Sequence, residues 1–109
     1  MGVDVLLMSV EQKGTSPKRR QVRPVEMVLD PLDRFSRLCA TSRRPMLGRV
    51  DPCRTLVLTR ADMPQFISEL EAELTEHDDR ETRDLLDQVL GLARRCQARD
   101  AHELHLDGD

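Results

Sequence analysis

Apolar positions along the chain follow two periods, and each change of period marks a new element. Val3, Val5, Leu6, Leu7, Met8 and Val10 form a β-branched, apolar run that reads as a strand. Residues 11–20, with Gly14, Ser16-Pro17 and a basic run, read as a loop. Val25, Met27 and Leu29 then alternate with period two, which predicts a second strand over residues 22–29. Pro24 has no N–H for a ladder, so that strand starts at an edge or a bulge. The two strands are expected to form a hairpin with a long basic connection. Asp30-Pro31 is a helix start, since Asp can cap free N–H groups and Pro suits the first helical position. Leu32, Phe35, Leu38 and Cys39 follow at helical spacing, and Ser42-Arg43-Arg44-Pro45 ends that short helix near Ala40. Residues 46–50 and 54–59 are two further predicted strands around Asp51-Pro52. Leu56-Val57-Leu58 is continuously apolar, as in a central strand.

The C-terminal half is more regular. Asp62, with Gln65 three positions on, predicts a capping box. Met63, Phe66, Ile67, Leu70 and Leu74 make one apolar helical stripe, with Glu69, Glu71, Glu73 and Glu76 on the remaining surface. His77-Asp78-Asp79 is a short turn in which Asp78 or Asp79 caps the next helix. Leu85, Leu86, Val89, Leu90, Ala93 and Cys96 give that helix its buried face. Arg94, Arg95 and Arg99 lie in its last turns, where cations suit the dipole. So short a turn predicts an antiparallel helical pair. Residues 101–106 form a last strand, with Leu104 and Leu106 inward. The expected order is β-β-α-β-β-α-α-β. This is an α+β fold: a mostly antiparallel sheet with a short helix and a C-terminal helical pair on one face, in a single domain over residues 1–109.

Composition narrows the functional classes. Only 2% of the 109 residues are aromatic, with no Trp and no Tyr, so the core rests on Leu, Val, Met and two Phe. Base-stacking platforms and aromatic cages lack their rings. The longest apolar run, residues 5–8, is far short of a membrane span or a signal-peptide core. Three cysteines without close spacing read as free thiols in a reducing cytosol, and a cytoplasmic location is expected. The net charge of −3 argues against a general nucleic-acid or membrane binder. That charge is unevenly divided. Residues 1–60 carry 12 basic and 6 acidic side chains, while residues 61–109 carry 5 basic and 14 acidic.

Few constellations suggest chemistry. Cys96, His102 and His105 are zinc-type ligands, but in a strand His102 and His105 point to opposite faces. No metal or cofactor site is expected. There is no nucleophile elbow and no glycine-rich phosphate loop, and the paired carboxylates fit helix caps, so no enzyme is expected. Three binding readings remain. The leading one is a non-enzymatic protein-binding domain whose acidic helical surface, Glu69, Glu73, Glu76, Asp78, Asp79 and Asp84, holds a basic protein partner. The second is an accessory or regulatory nucleic-acid binder using Lys18, Arg19, Arg20, Arg23, Arg43 and Arg44, although no aromatic residue interleaves them. The third is a small-ligand or thiol sensor using the cysteines. A homodimer could form through an unpaired edge of the first strand or of the Pro24 strand.

From Asp51 onward the chain resembles a family of small bacterial proteins of the kind that includes polymorphic-toxin immunity proteins. The resemblance rests on Asp51-Pro52, Leu56-Val57-Leu58, and Met63-Pro64 leading into Glu69-Leu70. It continues in Leu92-Ala93-Arg94-Arg95-Cys96 and the ending Leu104-His105-Leu106-Asp107-Gly108-Asp109. Cys53, His105 and Leu106 stand where that pattern carries aromatics. The resemblance implies a small non-enzymatic neutraliser that occludes its partner and has no catalytic residues.

Overall fold

In the computed structural model, residues 2–12 and 20–108 are described. The alternating N-terminal segments form two long strands, β1 (Val3–Gln12) and β2 (Arg20–Val28). A short helix, α1 (Arg34–Thr41), and strand β3 (Thr55–Thr59) follow. The amphipathic stripes form α2 (Met63–Glu76) and α3 (Arg80–Ala98), and strand β4 (His102–Gly108) completes the fold. The strands make one antiparallel sheet in the order β2-β1-β4-β3. The fold is therefore α+β, as the pattern predicts. β1 has a partner on each side, so the expected free edge on the first strand does not exist; the edges are β2 and β3. Pro24 does mark an irregularity, because the β1–β2 register shifts between Leu7 and Met8 and places Val25 in the bulge.

Strand pleat assigns the two faces of the sheet. Val5, Leu106 and Leu56 lie side by side on one face, as do Leu7, Leu104 and Leu58. This face is covered by the helices, and Phe35, Phe66, Leu70, Leu86 and Leu90 complete a continuous buried core with it. The other face carries a row of Met27, Leu6, His105 and Val57, and beside it a row of Pro24, Met8, Glu103 and Thr59. None of the described helices packs there, and Met27 and Val57 are 49% and 43% exposed.

Several local starts differ from the pattern reading. Residues 46–50, expected to be a strand, contain a tight 3-10 turn, Leu47–Arg49. Its N–H groups close on nearby carbonyls, Arg49 to Met46 and Val50 to Leu47. The N–H groups of Met46 and Leu47 are taken by the Glu69 carboxylate, each at 3.0 Å, so no ladder can use them. Asp30 does cap α1, but from outside the helix. Its oxygens accept from Phe35 N and Ser36 N, both at 3.0 Å, and also from Val3 N at 3.1 Å. One buried carboxylate thus ties the start of β1 to the start of α1. The reciprocal cap before α2 joins Thr59 and Asp62 rather than Asp62 and Gln65, with Asp62 accepting from Thr59 N at 2.9 Å. Asp79 caps α3 by accepting from Thr82 N at 3.1 Å.

Candidate partner-binding surface

The six acidic residues of the helical pair fall into two groups with different roles. On α2, Glu69 and Glu73 are one turn apart and share a face, but that face looks onto residues 42–47 and not outward. Both are buried, at 8% and 6% exposure. Glu69 accepts from the Met46 and Leu47 backbone and from Gln65 Nε2 at 2.8 Å. Glu73 accepts from Arg44 Nε at 2.7 Å and Ser42 Oγ at 3.3 Å, and Glu76 holds the other end of the same guanidinium. The expectation that Glu69 and Glu73 belong to a free acidic surface is therefore corrected: they anchor the loop that follows α1. The spacing of Glu69, Glu73 and Glu76 at four and three residues signals a single polar face. What the sequence does not show is the segment that face meets.

Asp78, Asp79 and Asp84 are exposed around the start of α3. The bond from Thr82 holds the Asp79 carboxyl below its ordinary value, against a smaller opposing effect of desolvation. Asp84 lies 3.8 Å from the highly exposed Arg80. Glu81, beside them, pairs with Arg34. These residues border a hollow of about 300 Å³ lined by Leu29, Leu32, Leu85, Glu81, Asp84 and Gln88, among others. Leu29 and Leu32 are 56% and 62% exposed. Two consecutive turns of chain therefore present leucines to solvent beside a carboxylate rim. Leu32 was expected on the buried stripe of α1, but the helix begins only at Arg34 and leaves Leu32 outside it.

The basic set does not form one surface. Lys18 and Arg19 lie outside the described residues. Arg20 is on β2 and reaches across the uncovered sheet face to Glu103. Arg43 and Arg44 line a polar cleft of about 530 Å³ with Thr41, Glu73, Glu76 and His77. Arg44 is engaged there by both carboxylates, and Arg23 and Arg43 are exposed.

The candidate metal group is not assembled either. His105 lies on the uncovered face, where its Nε2 meets Glu103 Oε1 at 2.7 Å, while His102 faces the other way. Cys39 and Cys96 are buried and Cys53 is exposed. Burial pushes the Cys39 thiol far above its usual value, helped by Asp30 and Glu73. Burial and Glu103 push Cys96 up to about 11. Both are thiols at neutral pH, which weakens a sensor role for these two. No family model, no curated protein and no solved structure matches the chain.

Proposed function

We propose that the protein is a non-enzymatic binding domain that holds a basic, amphipathic segment of a partner protein in the hollow between residues 29–32 and the first turns of α3. The carrying observation is the pair of exposed leucines, Leu29 and Leu32, set beside the carboxylates of Glu81 and Asp84. Single exposed apolar residues are ordinary, but two together over a hollow offer an anchor point. The carboxylate rim selects the sign of the partner and speeds its approach. This retains the acidic-surface reading for Asp78, Asp79 and Asp84 and releases Glu69 and Glu73 from it. Covering a basic functional surface of the partner, as immunity-like proteins do, is the mode of action it implies.

Peptide-display selection against the protein tests this reading. Recovered peptides should combine Lys or Arg with large apolar residues, and Leu32→Asp or Asp84→Lys should weaken their binding at least tenfold. Selection of acidic peptides, or of peptides that bind the Leu32→Asp variant equally well, would rule the reading out.

A further inference from the structure

The uncovered face of the sheet is a separate surface from the α3 hollow, and its composition is organised along the strands. Its middle is apolar: Leu6, Met8, Val10, Pro24, Met27 and Val57. At one end of β1 the row is acidic, with Asp4 beside Asp107. At the other end Gln12 is opposite Arg20. The one buried charge in the middle, Glu103, is already matched by Arg20 and His105. A partner of strong single charge would find nothing to pair with at the centre.

We propose that this face packs against the same face of a second copy of the chain. A two-fold axis lying between the two faces and running across the strands lays the apolar middle of one copy on that of the other. The same operation sets the Asp4–Asp107 end of each copy over the Arg20 end of its partner. The face is thus complementary to itself in both charge and polarity, as an isologous contact requires. Its size also fits a dimer, though a modest one. Four strands about 4.8 Å apart and about seven residues long cover roughly 450 Å². Two such faces bury roughly 900 Å² before side-chain relief is counted, close to the lower limit of about 1,000 Å² for a specific interface. Aligned sheet packing of this kind is the usual way to hide two half-apolar faces.

Sedimentation of the whole chain from about 1 to about 100 μM, the range in which a small interface should dissociate, tests the proposal. The expected result is a dimer at the upper end. Met27→Glu and Val57→Glu, at two exposed positions on different strands, should each give a monomer with an unchanged helical circular-dichroism spectrum. Asp107→Arg should weaken association at least tenfold at low salt, because it sets Arg against Arg20 of the second copy. Leu32→Glu, on the proposed partner surface, should leave the dimer intact, which separates this proposal from the one above. A chain that stays monomeric at about 100 μM would overturn the proposal. So would a dimer that survives both sheet-face substitutions.

Discussion

Two buried carboxylates, Glu69 and Asp30, do work that hydrophobic patterning does not register. Each accepts backbone N–H groups from a segment distant in sequence, and each would leave those donors unsatisfied if removed. Replacing Glu69 with Ala is expected to cost about 2–4 kcal/mol, since it orphans the Met46 and Leu47 N–H groups in a buried place. Urea denaturation would measure the loss, and hydrogen exchange should show the turn at residues 46–50 opening first. Glu103 makes a different prediction. Burial alone would raise its carboxyl pKa, but bonds from His105 and Arg20 bring it below the ordinary value. A carboxyl depressed in the folded state stabilises the fold above its unfolded pKa and loses that contribution as pH falls through the folded one. Stability should therefore decline below the ordinary carboxylate range, near pH 4–5 and downward. Glu103→Gln should be less stable at neutral pH and show a shallower acid decline in thermal melts across that range.

At the level of elements, legibility followed locality. The stripe Met63, Phe66 and Leu70 and the cap at Asp79 are determined by residues within a turn of each other, and both stand as the spacing predicts. The segment at residues 46–50 was read as a strand because Met46, Leu47 and Val50 are apolar. All three are buried, but around a tight turn whose donors are claimed by a helix about twenty residues later. The placement of Leu32 failed for a similar reason, because the capping carboxylate Asp30 acts from five and six residues away and the helix starts late. The close of β4 shows a constraint of the same kind. A Cβ added to Gly108 would lie 2.4 Å from the Pro52 carbonyl carbon, and Gly108 N donates to Arg54 O. Gly108→Ala should push the end of β4 off the turn at residues 51–54 and cost about 1–3 kcal/mol. Faster amide exchange at the Thr55 end of β3 than in the middle of β1 would confirm where the damage lies.

For the whole molecule, the unequal charge of the two halves takes on a second meaning. Read along the chain, it suggests a basic region and an acidic region facing different partners. In the fold, much of it is matched internally. Arg20 pairs with Glu103, Arg34 with Glu81, Arg44 with Glu73 and Glu76, and Arg60 with Asp100. Each pair joins a cation of the first 60 residues to an anion of the remainder. Exposed pairs contribute about 0.2–1 kcal/mol each and are screened by salt. Raising sodium chloride from about 0.05 to about 1 M should therefore lower the urea midpoint, and charge-neutral Arg34→Gln should reduce that dependence. No sequence pattern distinguishes a carboxylate that meets its cation within the chain from one that awaits a partner. The acidic candidates consequently divided only once their neighbours were known.

The position of β4 between β1 and β3 has a consequence for how the chain reaches its native state. β3 has no strand partner other than β4, and β1 lacks one of its two neighbours until β4 arrives. The central pairing joins residues about as far apart along the chain as its length allows, with Val3 opposite Gly108. Closing so long a loop is slow, and contacts of this kind set folding speed. The same pair brings the two ends of the described chain side by side. A circular permutant that links them through a short turn and opens the chain between α2 and α3 would turn the most distant pairing into a local hairpin. Stopped-flow refolding of such a permutant should be faster than that of the natural order, with the native circular-dichroism spectrum retained. The order of translation and the order of assembly are therefore separable in this fold.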